Sequence, residues 1–196
     1  AARPVFLQQV HGAAVAILDG STPDATIADA AVTATPGVAC TIMVADCLPV
    51  LLTNRQGNRV GAAHCGWRGL AGDGQTGVLE SFFESFWHDP SASRSRDAIE
   101  NIASQSVVWL GPCIGAGAFE VGAEVREAFC GADPEAAACF RSLGGGKFLA
   151  NLAGLARRRL HKLGVAAIAG NDGSAAWCTA SHPARFFSHR RDAAAR

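Results

Sequence analysis

The sequence predicts an α+β domain built on a mixed β-sheet, and two patterns lead to that class. The first two thirds of the chain consist of short apolar runs, rich in β-branched residues and separated by turn residues, which is typical of strands. Helical spacing of apolar residues appears later and does not follow each strand, so a regular βαβ repeat is not expected. The 196 residues show no internal repeat and no long linker, which predicts one domain over residues 1–196.

The predicted strands are short apolar segments that end at turn residues. Toward the N-terminal end they are VFLQQV, AVAIL, DAAVT, VACTIMVA, LPVLLT and RVGAAH. The segment NRQGN between the last two predicts a turn, so we expect these two strands to form a hairpin. Later strands are expected in SVVWLG and VAAIAG.

Helices are predicted where apolar residues recur at helical spacing. The first spans residues 76–87, the second runs from about residue 123 to residue 129, and the third closes at Gly164. The apolar positions are Val78, Leu79, Phe82, Phe83 and Phe86 in the first helix and Leu152, Leu155, Leu160 and Leu163 in the third. The polar segment HDPSASRSRD at residues 88–97 predicts a surface loop, and SLGGGK predicts another.

The charge balance and the cysteines restrict the class of protein. Zero net charge, from 17 basic and 17 acidic residues, argues against a protein that binds nucleic acid or a membrane surface electrostatically. No apolar run approaches the roughly 18 residues of a membrane span. The 7 cysteines are scattered without a CxxC pair, which is typical of reduced thiols and predicts a cytoplasmic protein. The sequence does not predict the oligomeric state.

Glycine-rich and arginine-rich stretches carry no predicted cofactor site. GDGQTG at residues 72–77 matches a dinucleotide-binding pattern, but the preceding strand ends about eight residues earlier and no βαβ unit surrounds it. GGGK lacks the first glycine and the Ser/Thr of a phosphate-binding loop. The arginines of ARRRL, at 157–159, are predicted to form the solvated face of a helix.

Three residues at strand ends form a candidate metal site. His11 in QQVHG, Cys47 in VADCLP and His64 in AAHCGWRG each follow an apolar run and precede a turn. Singly, such a histidine is more often structural, but two imidazoles and one thiolate together are a sufficient ligand set for zinc. Three protein ligands leave a fourth position open, which is the arrangement of catalytic zinc, where a bound water becomes acidic near neutral pH.

Residues beside these ligands add chemistry to the candidate site. Asp46 would point away from Cys47 if the strand continues through both, and is expected to support the site from outside. Arg68 has a guanidinium that could hold a phosphate or a carboxylate with two hydrogen bonds. Trp67 could stack on a planar base or anchor the turn by hydrophobic contact. The catalytic residues predicted from these arguments are His11, Cys47, His64 and Arg68.

The sequence resembles the YfiH family, also called the polyphenol oxidase or laccase-domain family, which is related to peptidoglycan editing factor. The matching motifs run in family order over nearly the whole chain: QQVHG, DAAVT, MVADCLPVLL, AAHCGWRGL, GPCIGAGAFEVGAEV and CTASHPARFFSHRRD. The resemblance implies a three-layer α/β/α fold around a mixed sheet, with metal ligands at His11, Cys47 and His64. It also implies that family segments beyond both ends are absent from this chain, and that Asn151 replaces a family Asp.

The resemblance implies a zinc-dependent purine nucleoside enzyme. The implied reactions are phosphorolysis of adenosine, inosine, guanosine or methylthioadenosine, and deamination of adenosine at the same site. Small-molecule partners are then a purine nucleoside and phosphate, and the cofactor is Zn²⁺.

Three other functions remain open from the sequence. The older family name suggests a copper oxidase of phenols, in which Met43 could be an axial ligand if it shares strand parity with Cys47. Relatedness to peptidoglycan editing suggests an amidase, with Cys47 as nucleophile and His64 as base. A zinc-stabilised binding module without turnover is the non-enzymatic alternative.

Overall fold

The computed structural model describes residues 1–88 and 102–193, and strands predominate in its first third. The strands within the described residues are β1 (Arg3–Gln8), β2 (Val15–Ile17), β3 (Thr26–Ile27), β4 (Ala30–Thr33), β5 (Val38–Thr41), β6 (Leu48–Asn54), β7 (Val60–Cys65), β8 (Ser106–Leu110), β9 (Glu120–Val121), β10 (Phe140–Gly144), β11 (Lys147–Ala150) and β12 (Ala167–Gly170). The α-helices are α1 (Trp67–Ala71), α2 (Val78–Trp87), α3 (Ala123–Cys130), α4 (Leu152–Lys162) and α5 (His189–Asp192). Short 3₁₀ helices lie at Pro134–Cys139 and Ala175–Trp177.

A six-stranded mixed sheet forms the centre of the fold, in the order β12-β8-β6-β7-β4-β2. Strands β12 and β8 are parallel, as are β2 and β4, while β6 and β7 are antiparallel to their neighbours. Two three-stranded sheets accompany it, β3-β1-β5 and β10-β11-β9. The predicted hairpin of β6 and β7 is confirmed, with Leu48 paired to Cys65 and Thr53 paired to Val60.

Helices cover one face of the central sheet and enclose the main core. Alternate residues of β6, including Val50 and Leu52, pack in one cluster with Phe82 and Phe86 of α2. Gly61 in β7 makes this packing close, because a Cβ atom there would lie 2.6 Å from a Phe82 ring carbon. Helix α4 packs beside α2. The sheet of β1, β3 and β5 covers part of the opposite face through a second buried cluster: Val5, Leu7, Ala16, Leu18, Ala28 and Ala31.

Strand register brings the candidate residues to one end of the sheet. Because Leu48 pairs with Cys65, the residues just outside this pair, Cys47 and Gly66, are neighbours. Because Ala30 pairs with Ala63, the next residues toward this end are Asp29 and His64, and the His64 N–H donates to the Asp29 carbonyl at 2.7 Å. The antiparallel hairpin therefore assembles a site from residues far apart in the sequence.

The predicted α+β class with a mixed sheet is confirmed, and so are the three predicted helices. The first begins at Val78 rather than at residue 76, and the second extends to Cys130. The loop predicted over residues 88–97 lies outside the described residues except for His88. Within the described ranges, no helix has the length and apolar character needed to cross a membrane.

The arginines at 157–159 do not form a solvated face, so that prediction is wrong. Arg157 donates to the Asn171 carbonyl at 2.8 Å, beyond the end of β12. Arg159 donates to Glu80 at 2.8 Å and to the Gly74 carbonyl at 3.0 Å. Arg157 and Arg159 therefore bind neighbouring segments of the chain. The glycine-rich loop at residues 72–77 accepts one of these hydrogen bonds, through the Gly74 carbonyl.

Candidate metal centre

His11, Cys47 and His64 come together at one end of the central sheet. One possible metal-binding atom from each residue lies within 4.8 Å of the other two. Among the described residues, this is the group of histidine, cysteine and acidic side chains that could hold a metal ion. His11 Nε2 lies 3.8 Å from Cys47 Sγ, and the two imidazole rings meet edge to face with centroids 4.7 Å apart. His64 is buried, Cys47 is half-buried and His11 is exposed. The group is therefore open to solvent on the His11 side.

The donor set and spacing fit zinc. Tetrahedral zinc binds thiolate near 2.3 Å and imidazole near 2.0 Å, which separates sulfur from nitrogen by about 3.5 Å. The observed 3.8 Å between Cys47 Sγ and His11 Nε2 is close to that separation. Two nitrogens and one sulfur are also the borderline-soft donors that zinc prefers.

Asp29 orients two of the three candidate ligands, and it was not predicted from the sequence. Its Oδ1 accepts hydrogen bonds from His64 Nδ1 and from the His11 backbone N–H, both at 2.8 Å. Its Oδ2 accepts from the N–H groups of Val10 at 3.2 Å and Gly12 at 2.7 Å. Because Nδ1 donates this hydrogen bond, the ring proton lies on Nδ1, and Nε2 of His64 keeps a lone pair that can bind a metal.

The same carboxylate supports the backbone of His11, which has φ +61°. A left-handed conformation is uncommon for a residue with a Cβ, and here three successive N–H groups converge on Asp29. The DAAVT segment was the available signal, because it places an acidic residue directly before a buried strand.

Gly66 leaves space for the side chains of His11 and Cys47. A Cβ atom at this position would lie 2.7 Å from His11 Cδ2 and 3.1 Å from Cys47 Sγ. Its φ of −68° and ψ of 157° are open to any residue, so the glycine is needed for space and not for its backbone conformation.

We expect Gly66→Ala to weaken zinc binding by about 10-fold or more, because the added methyl group displaces His11 or Cys47. The measurement is zinc affinity by competition with a chromophoric chelator. Gly117→Ala is the matched control, since a Cβ there meets nothing within 4 Å, and it should bind zinc like the parent. Equal affinity in the two variants would show that the ligands do not occupy the positions described.

The chain turns sharply at Asp46, so the assumption of a strand through Met43, Asp46 and Cys47 is wrong. Strand β5 ends at Thr41, β6 begins at Leu48, and Asp46 has φ +85°. Met43 is 58% exposed, and its backbone N–H and carbonyl both bond to the Gln9 side chain. Strand parity therefore gives no support to Met43 as a metal ligand.

Burial sets the protonation states of Cys47 and His64 in the metal-free protein. It raises the pKa of the Cys47 thiol to about 11, with further raising by the charges of Asp46 and Asp29. Burial also lowers the pKa of His64, although Asp29 opposes this shift. His64 is consequently a neutral imidazole at pH 7, as a ligand must be, while Cys47 needs a cation to become a thiolate.

Arg68 lies on α1, two residues after Gly66. Its side chain is exposed, and its guanidinium carbon lies 4.6 Å from the centroid of the Trp67 ring. Among the described residues no carboxylate lies within ion-pair distance of it. The guanidinium thus retains its hydrogen-bonding capacity for an anion.

Comparison with known proteins gives consistent matches. The model of the family described as "Multi-copper polyphenol oxidoreductase laccase" matches residues 1–196. The Escherichia coli (strain K12) protein named purine nucleoside phosphorylase YfiH is 47% identical over 190 residues, which are 97% of this chain and 69% of the relative. A Pseudomonas aeruginosa protein named purine nucleoside phosphorylase PA4543 is 46% identical over 190 residues, covering 96% of this chain and 69% of its own length.

Solved structures agree with these matches. A Neisseria meningitidis protein superposes with a TM-score of 0.79 at 42% identity and covers 97% of this chain and 70% of its own. YlmD from Geobacillus stearothermophilus superposes with a TM-score of 0.81 at 26% identity, covering 97% and 69%. The family match over residues 1–196 and the 47% identity to the Escherichia coli relative together show that the chain belongs to the YfiH, laccase-type polyphenol oxidoreductase family.

Proposed function

We propose that this protein is a zinc-dependent purine nucleoside phosphorylase that also deaminates adenosine. The observation that carries the proposal is the convergence of His11, Cys47 and His64 on one point that is open to solvent. The names of the relatives in Escherichia coli and Pseudomonas aeruginosa support the reaction class. The proposed substrates are adenosine, inosine, guanosine and methylthioadenosine.

Phosphorolysis breaks the glycosidic bond between the sugar C1′ and the purine nitrogen. A phosphate oxygen forms the new bond to C1′, and the released base takes a proton, which gives a free purine and a sugar 1-phosphate. His11, Cys47 and His64 would hold the zinc ion, which would supply Lewis acidity to the reaction. Arg68 is proposed to hold the phosphate, because its guanidinium offers two parallel donors to two phosphate oxygens and has no carboxylate partner in the described chain.

Deamination replaces the amino group on purine C6 with an oxygen from water and releases ammonia. The neutral ring of His64, fixed by Asp29, keeps a ligand nitrogen directed toward the metal at neutral pH. Trp67 is proposed to contact the purine ring of the substrate, because its indole can stack on a planar purine.

Product analysis with the zinc-loaded protein tests the proposal. With adenosine and phosphate we expect adenine and ribose 1-phosphate, and also inosine and ammonia. Omitting phosphate should abolish release of adenine while leaving formation of inosine. If nucleosides stay intact in both conditions, the proposed function is wrong.

A copper oxidase is the second candidate, and the family description favours it. Multicopper chemistry needs several metal sites, yet the described residues contain one group of three ligands. The other histidines of the chain stand outside this group: His88, His161, His182 and His189. Phenol oxidation that requires copper and persists without nucleoside turnover would favour this candidate.

An amidase with Cys47 as nucleophile and His64 as base is a third candidate, because a ring nitrogen of His64 lies within 4.8 Å of the Cys47 sulfur. Burial and two nearby carboxylates raise the pKa of this thiol to about 11, which opposes a metal-free thiolate at neutral pH. Alkylation with iodoacetamide separates the two roles of Cys47. A zinc ligand should be protected by saturating zinc, whereas a free nucleophile should react.

A further inference from the structure

Asp46 binds a distant part of the chain directly beside a metal ligand. Its carboxylate is buried, with Oδ1 accepting from Thr179 Oγ1 at 2.5 Å. Oδ2 accepts from Ser188 Oγ at 3.0 Å and from the Arg190 backbone N–H at 2.7 Å. All three donors lie in the C-terminal segment, 133 to 144 positions away along the chain.

The backbone of Asp46 is fixed as well. The Ile114 N–H donates to the Asp46 carbonyl at 2.9 Å. The residue has φ +85°, a conformation that residues with a Cβ rarely adopt without support from their surroundings. Cys47 is attached to this residue, so the direction of its Cα–Cβ bond depends on the torsion that these contacts hold.

The C-terminal segment is itself held together by hydrogen bonds around the contact. Ser188 is fully buried, and its hydroxyl also accepts from the Arg191 N–H at 3.2 Å as the N-terminal cap of α5. Arg191 donates to the carbonyls of Thr179 at 2.9 Å and Phe186 at 2.8 Å. These bonds join residues 179–192 into one unit that presents its donors to Asp46.

We infer that Asp46 is a positioning residue for Cys47, through which the C-terminal segment sets the geometry of the metal centre. The inference rests on the proposed zinc site and assigns Asp46 no contact with substrate. Groups that hold a metal ligand in place from outside typically account for about 10-fold to 100-fold in metal affinity. Loss of the Asp46 contacts should therefore weaken zinc binding by that factor even though all three ligands remain.

Two substitutions at Asp46 separate the effect of its side-chain hydrogen bonds from the effect of its positive φ torsion. Asp46→Gly keeps the positive φ without strain and removes every side-chain contact, so zinc affinity should fall about 10-fold to 100-fold. Asp46→Asn should retain most of the affinity. Its amide oxygen can replace Oδ2 and accept both donors, and its amino group can donate to the Thr179 hydroxyl, which is free to rotate.

Ser188→Ala removes the hydroxyl that donates to Asp46, and a substitution at Ser106 is its matched control. Ser106 is also a fully buried serine, with hydrogen bonds to Trp87 Nε1 and to the Ile102 carbonyl, both at 3.0 Å. Both alanine variants lose a buried hydroxyl and should lose similar stability. We expect only Ser188→Ala to lower zinc affinity.

Two measurements report on the site without relying on turnover. Chelator competition gives the zinc affinity, and the thiolate-to-metal absorption band of the Co²⁺-loaded protein reports how Cys47 binds the metal. Positioning predicts a shifted or weakened band in Asp46→Gly and Ser188→Ala, with a parent-like band in Ser106→Ala. Parent-like affinity and spectrum in Asp46→Gly would overturn the inference. A parent protein that binds neither zinc nor Co²⁺ would instead overturn the proposed function, and the inference with it.

Discussion

Cys47→Ser should lose its bound zinc, and its kcat/KM for phosphate-dependent base release should fall by about 100-fold or more. A serine hydroxyl keeps its proton near neutral pH, so the site would retain two imidazoles and no anionic ligand. Metal analysis per chain and kcat/KM for inosine with phosphate give the two values. Partial burial, and then the charges of Asp46 and Asp29, raise the pKa of the Cys47 thiol, so its deprotonation in the parent depends on the metal that it binds.

Cys40→Ser is the control for this experiment. Cys40 is half-buried in β5, outside the metal group, and its sulfur contacts the Val60 carbonyl at 3.8 Å, a contact that a serine hydroxyl can replace. We expect parent-like zinc content and turnover in this variant. Full turnover in Cys47→Ser would contradict the assignment of catalysis to this centre.

Asp29→Asn should both destabilise the fold and weaken zinc binding. Each carboxylate oxygen of Asp29 accepts two hydrogen bonds, and all four donors are N–H groups: those of Val10, His11 and Gly12 and the ring Nδ1 of His64. In either orientation, the amino group of an asparagine faces two donors. Because Asp29 is fully buried, we expect a loss of about 3 kcal/mol in the free energy of unfolding.

Denaturant unfolding of the metal-free protein gives this loss, and chelator competition gives the accompanying fall in zinc affinity, about 10-fold or more. Asp19→Asn is the control, because Ser21 and Thr22 bond to only one oxygen of that exposed side chain. Its stability should change by less than about 0.5 kcal/mol. Parent-like stability of Asp29→Asn would show that the four contacts do not form together.

The convergence of His11, Cys47 and His64 could be predicted because each is a metal-binding side chain at the end of an apolar run. Asp29 was not predicted, because DAAVT shows only an acidic residue before an apolar run, and its place beside His64 arises from the pairing of β4 with β7. The torsion of Asp46 was missed for a related reason. A residue between two apolar runs gives no local sign of φ +85°, which contacts from the C-terminal segment support.

The α+β class and the helices followed from periodicity, whereas the arginines of α4 show where periodicity fails. A run of three arginines is typical of a solvated helix face, but Arg157 reaches carbonyl groups beyond β12 and Arg159 pairs with Glu80 of α2. These partners depend on how helices and strands pack, and that arrangement is decided by the tertiary structure.

The central claim is that one metal ion at His11, Cys47 and His64 supports cleavage of nucleosides by phosphate. The most direct measurement titrates zinc into metal-depleted protein while base release from inosine is followed in the presence of phosphate. The account predicts that activity rises to a plateau at about one zinc per chain, with no rise for Cys47→Ser. Full base release by the metal-depleted protein, unchanged on adding zinc, would contradict it.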